Sequence, residues 1–171
     1  MKFDFPKSDE HSLVAKKWRA TKLSDIRQKG PIDSRYYLSE QYLVTLRRHR
    51  AAHSAKGHGF GYVVRSWDGI AGTVLCSNMG RERNLVYDED HPKVMVPHLK
   101  TMGPLNREHI RKLTPLEFCR LHGFPRDFKI DGISDSQLSK QFGNSVTVPV
   151  IEAVARQIRL ILEAALGLKS E

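Results

Sequence analysis

The side chains best suited to hold a small polar ligand lie in one run near the C-terminus, Gln141-Phe142-Gly143-Asn144-Ser145-Val146-Thr147-Val148-Pro149-Val150. A glycine lets the backbone turn tightly, and Asn144 and Ser145 then present an amide and a hydroxyl just before a helix start. Such a turn suits a carboxylate, which takes hydrogen bonds from side chains and from free backbone N–H groups. The same two residues serve equally as a turn and a helix cap, and spacing alone does not separate the roles. A second run suits a polyanion. From Tyr42 to Arg65 there are five Lys/Arg residues (Arg47, Arg48, Arg50, Lys56 and Arg65), three histidines and no acid. A solvated helix face normally interleaves both signs, so this stretch reads as a phosphate-facing surface. The whole chain agrees in sign. A formal charge of +9 and a pI near 9.7 favour a polyanionic partner, because Lys and Arg displace counterions condensed on nucleic acid.

Other reactive groups point nowhere in particular. Cys76 and Cys119 lie far apart without C-x-x-C spacing, so neither a disulfide framework nor a zinc site is indicated. Both are expected to be small buried thiols in a reducing, cytoplasmic setting. His49 and His53 are four apart on one predicted helix, a spacing metals can use. No further ligands lie nearby, so a solvent or nucleic-acid-facing role is expected and no metal. No stretch approaches the ~20 apolar residues of a membrane span, and Met1 to Pro6 lacks the layout of a secretory signal. At 171 residues the chain suits one domain or two small ones.

The elements that must position these groups follow from local signals. Residues 1–36 read as an irregular arm with a short helix near Leu23 to Arg27, broken by Lys29-Gly30-Pro31. Ser39 is a plausible N-cap for a helix from Glu40 to about Ala55, with Leu43 and Leu46 on its apolar side. Gly57-His58-Gly59-Phe60-Gly61 is too glycine-rich for a regular element. Tyr62 to Val64, Gly69 to Cys76 and Asn84 to Tyr87 read as strands, and Asp88 to Pro104 as loop. Thr114-Pro115-Leu116-Glu117 is a strong helix start, with Pro at the first position and Glu closing a capping box. That helix should bury Phe118 and Leu121 and end at Gly123. Ser134-Asp135-Ser136-Gln137 repeats the logic for a helix ending near Gly143. A final helix from Pro149 to about Leu166 carries Val150, Val154, Ile158, Ile161 and Ala165 at helical spacing, widened by Ile151 and Leu162.

Two of these strings carry a family resemblance. Gln141 to Val150 resembles the tenth conserved motif of DNA (cytosine-5) methyltransferases, Q-x-G-N-S-V-x-V-x-V. The run Arg111-Lys112-Leu113-Thr114-Pro115-Leu116-Glu117-Phe118-Cys119-Arg120-Leu121-His122-Gly123-Phe124-Pro125 is similar to the ninth, R-x-L-T-P-x-E-x-x-R-L-x-G-F-P. They stand in the family's order and spacing, joined by the Ser134-Asp135 pair. Upstream, Tyr36-Tyr37-Leu38-Ser39, the basic helix, Gly57 to Tyr62 and Gly69 to Val74 resemble the family's target-recognition region. Phe3-Asp4-Phe5-Pro6 and Leu23-Ser24-Asp25-Ile26 resemble the segment after its eighth motif.

The resemblance implies an α/β fragment of an S-adenosylmethionine-dependent methyltransferase fold. Residues 1–38 would be a connecting arm, 39–132 the target-recognition domain including motif nine, and 133–171 motif ten with a helix belonging to the catalytic domain. Asn144, Ser145 and Val146 would contribute to an S-adenosyl-L-methionine site. Arg47, Arg48, Arg50, Lys56, Phe60, Gly61, Tyr62, Arg65, Thr73, Arg81, Arg83 and Arg111 would face double-stranded DNA. For several the alternatives stay open: Phe60 can be buried in a turn, Thr73 can be an ordinary strand residue, and Arg81-Glu82-Arg83 can be a solvated turn. Arg111 and Arg120 can reach phosphates or acidic partners. The family's chemistry needs a Pro-Cys nucleophile, a Glu-Asn-Val carboxylate and a glycine-rich donor loop, and this sequence contains none of them. No catalytic residue is therefore expected here. Because Met1 follows the place where the eighth motif would end, a split enzyme of a restriction-modification system is expected, whose other subunit carries motifs one to eight. The rival expectations are a stand-alone DNA-binding protein derived from such an enzyme, and a non-catalytic interaction protein.

Overall fold

Ser39 and Thr114 set the starts of two helices that sandwich a small sheet, in a computed structural model that describes residues 22–59, 61–76, 82–89, 103–125 and 127–167. α1 (Leu23–Ile26) is a single turn, followed by a 3-10 turn at Ser34–Tyr36. α2 (Glu40–Ser54) begins where the Ser39 hydroxyl accepts the Tyr42 N–H at 3.2 Å. The strands β1 (Val64–Arg65), β2 (Leu85–Tyr87) and β3 (Ile110–Lys112) lie in that order, β1 parallel to β2 and β2 antiparallel to β3. α3 (Pro115–Leu121) has the full capping box between Thr114 and Glu117. α4 (Asp135–Asn144) is capped by the Ser134 hydroxyl, and α5 (Val148–Leu166) ends at Gly167, whose φ of 64° suits a residue without a Cβ.

Alternation along β2 decides what covers each face of the sheet. Leu85 points to α2 and packs with Leu38, Leu43, Leu46 and Ile110. Val86 points the other way, to Leu23 and Ile26 of α1 and to Leu113, with Phe118 and Leu121 of α3 alongside. A further cluster joins α3 to α4 through Cys119, Leu138 and Phe142. The two faces explain why α3 buries Glu117 and Cys119 most deeply, whereas the expected pair Phe118 and Leu121 is only half-buried.

Three other expectations change. Residues 69–76 form no strand beyond an isolated bridge from Ile70 to Lys22. Their backbone is satisfied by a side chain instead: Asn84 accepts from the Gly72 N–H at 2.7 Å and donates to the carbonyls of Gly72 and Thr73. Conversely, Ile110–Lys112, which overlaps the start of the ninth-motif string, is a strand. Gly143 lies within α4 rather than at a turn. Most of the loop expected from Asp88 to Pro104 lies outside the described residues.

Candidate functional site

The ninth-motif string is organised around one buried guanidinium. Arg111 sits on β3 with its side chain at 0% exposure. It forms a two-pronged pair with Glu117 (Nη1–Oε2 2.7 Å, Nη2–Oε1 2.9 Å) and a further ion pair with Asp88. Burial works against its charge, but Glu117 and Asp88 outweigh that and hold it above arginine's usual range. Glu117 also accepts from the N–H groups of Thr114 and Gln28, so one carboxylate caps α3 and ties it to the N-terminal arm. Arg27 closes the other side of Asp88 at 3.0 Å, and Trp67 lies under both guanidinium groups, 5.0 Å from Arg27 and 5.3 Å from Arg111. Arg111 is therefore a core residue, not a phosphate contact. The expectation that it faces DNA is corrected on that ground. Arg120 turns back to the carbonyls of Ile26 and Arg27.

The basic stretch divides into two groups. Arg47 pairs with Glu108 of a distant segment, and its hydrogen bonds to Glu108 and then Tyr62 raise it above its usual range. Arg50 lies over the Tyr62 ring, 5.5 Å to its centre, and its stem fills the space beside Gly61. A Cβ on Gly61 would come within 2.8 Å of Arg50 Cγ, which accounts for glycine there. Arg48 and Lys56 are exposed. The second group sits elsewhere. Arg65 donates to the Arg83 carbonyl at 3.1 Å and lies beneath Gly72. Phe60 and Arg81 lie outside the described residues. His49 and His53 are half-buried, with ring centres 4.3 Å apart. Cys119 is buried, which pushes its thiol up, but Cys76 is exposed and so departs from the expectation for both.

Thr73 and Arg83 line a cleft of about 270 Å³ that runs from this second group to the start of α4. Its far wall holds Asp135, Ser136, Ser139 and Phe142. Arg35 reaches Asp135 at 3.4 Å, and burial followed by Asp135 pushes the Tyr36 phenol up, so it stays protonated. Arg35 and Asn84 were not singled out as site residues in the sequence, and Tyr36 only within the Tyr36 to Ser39 string. What brings them to the cleft is not local, because Asp135, Gly72 and Thr73 lie far along the chain.

Past the cleft, Asn144 ends α4 with its side chain exposed, Ser145 is half-buried and Val146 is 55% exposed. The Ser145 hydroxyl donates to the Phe142 carbonyl at 3.1 Å, which leaves its oxygen able to accept. The next helix start offers less than expected to a carboxylate. Val148 N–H is taken by the His122 carbonyl at 2.8 Å, Pro149 has no N–H, and Val150 N–H goes to Thr147. An anion here would meet side chains more than helix N–H groups. Gly123 fixes this junction: with φ 74°, its missing Cβ leaves room for Pro149 Cδ, which one would approach to 2.7 Å.

α5 itself buries no residue. Val150, Val154, Ile158, Ile161, Leu162 and Leu166 are each about half exposed or more, while Glu152–Arg156 and Arg159–Glu163 pair on the opposite side. No helix among the described residues is long and apolar enough to cross a membrane.

The family model for C-5 cytosine-specific DNA methylase matches residues 1–160. The Type II methyltransferase M.HpaII of Haemophilus parainfluenzae is 47% identical over 135 residues, 79% of this chain and 37% of that protein. M.NlaX of Neisseria lactamica is 33% identical over 146 residues, 85% of this chain and 41% of that one. The chain thus spans about two-fifths of the curated relatives it matches. The S. pombe Dnmt2 methyltransferase structure superposes with a TM-score of 0.60 at 16% identity, over 96% of this chain and 49% of that one, which bears on the fold alone. The mixed α/β fold is that of a methyltransferase, and the chain belongs to the C-5 cytosine-specific DNA methylase family.

Proposed function

We propose that the chain reads DNA sequence and completes the methyl-donor pocket of a DNA (cytosine-5) methyltransferase of a restriction-modification system, working in the cytoplasm with a separate catalytic subunit. The observation that carries this is α5: a helix of 19 residues with an apolar stripe and nothing among the described residues to bury it against. Such a face belongs against another protein surface. The chemistry missing from this sequence, the Pro-Cys nucleophile, the Glu-Asn-Val carboxylate and the glycine-rich loop, would be on that other surface. Residues 39–132 then form the recognition domain and 133–171 the part that joins the catalytic domain, with 1–38 connecting them.

S-adenosyl-L-methionine supplies the methyl group when bound. Asn144, Ser145 and Val146 fit the role of one wall of its site: an exposed amide, a hydroxyl oxygen that can accept, and an accessible apolar side chain. Asn144 and Val146 carry no basic or nucleophilic group, and the Ser145 hydroxyl donates to a carbonyl rather than to a base, so their part is to bind and orient. On the DNA side, Arg48, Lys56, Arg50 and Tyr62 offer one surface and Arg65, Thr73 and Arg83 another, with Arg47 adding charge only to the extent that Glu108 releases it. Phe60, Gly61 and Arg81 complete the set by resemblance.

The test is co-expression with a catalytic subunit carrying the Pro-Cys and Glu-Asn-Val motifs, followed by transfer of labelled methyl groups to DNA. The pair is expected to be active and this chain alone inactive. Activity in a preparation free of that subunit would show that the chemistry has been misplaced. Binding of the chain to duplex DNA should also weaken steeply with salt. Replacing Arg48 and Lys56 by Gln should reduce the slope of log K against log salt by about 2, near 0.9 per lost phosphate contact. A slope unchanged by both substitutions removes these residues from the DNA-facing surface.

A further inference from the structure

Residues 72–76 cross from the recognition sheet to the donor-binding motif, and they are held at both ends. At the sheet end, the Asn84 amide grips the backbone of Gly72 and Thr73, and the Arg65 guanidinium occupies the space a Gly72 side chain would need. At the other end, Val74 packs against the cluster of Cys119, Leu138 and Phe142. Leu75 and Cys76 then pass directly over Gly143 of α4. A Cβ on Gly143 would overlap the backbone N and Cα of Cys76 and lie 2.6 Å from the Leu75 carbonyl carbon. Backbone atoms cannot rotate away as a side chain can. Gly143 is helical, so its glycine is required by this crossing and not by a turn.

We infer that Gly143 is a specificity-determining positioning residue: it seats the strap of residues 72–76, and through it sets where Thr73 and the cleft wall meet DNA. The inference rests on the reading above, in which Thr73 and Arg83 face DNA. It adds that a residue next to Asn144 and Ser145 controls discrimination among DNA sequences without touching DNA. A one-methyl addition at Gly143 must lift Leu75 and Cys76. Because Asn84 holds Gly72 through two hydrogen bonds of 2.7 and 3.2 Å but Thr73 through one of 3.4 Å, the displacement is taken up at Thr73 and Val74.

The experiment uses the full chain and a randomised duplex library, sequenced before and after one round of binding. Wild type should enrich a short sequence. Gly143→Ala, shown to unfold cooperatively, should enrich it about tenfold less or worse, the size expected when a base contact is displaced. Its affinity for a single duplex lacking that sequence should stay the same. The exposed Cys76 thiol should react with iodoacetamide at a changed rate, with buried Cys119 as the internal reference. A folded Gly143→Ala that enriches the same sequence as strongly as wild type overturns the inference and leaves the recognition reading standing. A wild type that enriches nothing overturns the recognition reading, and the inference with it. Should Gly143→Ala not fold, Cys76→Gly loosens the same crossing without adding an atom. It should also lose discrimination at unchanged nonspecific affinity, and full retention overturns the inference equally.

Discussion

Arg111→Ala is expected to destabilise the chain by about 3–5 kcal/mol, the range seen when one member of a buried ion pair is removed. Two carboxylates depend on this guanidinium. Glu117 is fully buried and Asp88 nearly so, and Arg27 on the far side of Asp88 does not reach Glu117. Without Arg111, the Glu117 charge keeps only N–H donors from Thr114 and Gln28. A domain of this size has roughly 5–15 kcal/mol in total, so the loss takes about a fifth of it or more. Urea unfolding reads the effect as a lower midpoint at similar slope. The same experiment separates the core role from a DNA role. A phosphate contact would leave the midpoint near wild type and cut the salt dependence of DNA binding. A core residue should instead leave that salt dependence intact for the molecules that remain folded. A stability change below about 1 kcal/mol, the level of an exposed ion pair, would mean that water reaches this site.

Arg111 also marks the limit of what the sequence reveals. Helix starts were legible at Ser39, Thr114 and Ser134 because a cap and its N–H partner lie within three residues. Glu117 was legible as a cap for the same reason. Its second role, binding Arg111, was not, since the guanidinium is placed by β3 and shared with Asp88, 23 residues away in sequence. The strand expected across 69–76 failed for a related cause. β-branched residues suggested a ladder, but the Asn84 side chain took the backbone groups a neighbouring strand would have used.

Charge and periodicity behaved in opposite ways. The excess of Lys and Arg between residues 42 and 65 was plain, yet Glu108 from another segment neutralises Arg47, and Tyr62 draws in Arg50. The basic helix is therefore a smaller cationic surface than its composition suggests. For α5 the period of 3.6 gave the helix and its stripe directly. Whether the stripe was already covered is a matter of tertiary packing, and that the structure alone decides.

That exposure sets up the second large effect. Ile158→Asp is expected to leave the isolated chain as stable as wild type while abolishing its assembly with the proposed catalytic subunit. Ile158 is 54% exposed on a helix with no buried residue, so the carboxylate stays in water in the isolated chain, and surface changes of this kind fall within about 0.5 kcal/mol. On assembly the same position lies mid-stripe, between Val154 and Ile161. Burying an unpaired charge there costs several kcal/mol, enough to weaken association by a hundredfold or more. Self-association of the free chain through the stripe should fall as well. Sedimentation of the chain alone and pull-down with the catalytic subunit measure the two effects, and methyl transfer should be lost along with assembly. Ser145→Ala serves as the contrast, keeping assembly while weakening S-adenosyl-L-methionine binding. If Ile158→Asp lowers the melting temperature of the isolated chain by many degrees, α5 is part of this chain's own core and not the surface of the proposed assembly.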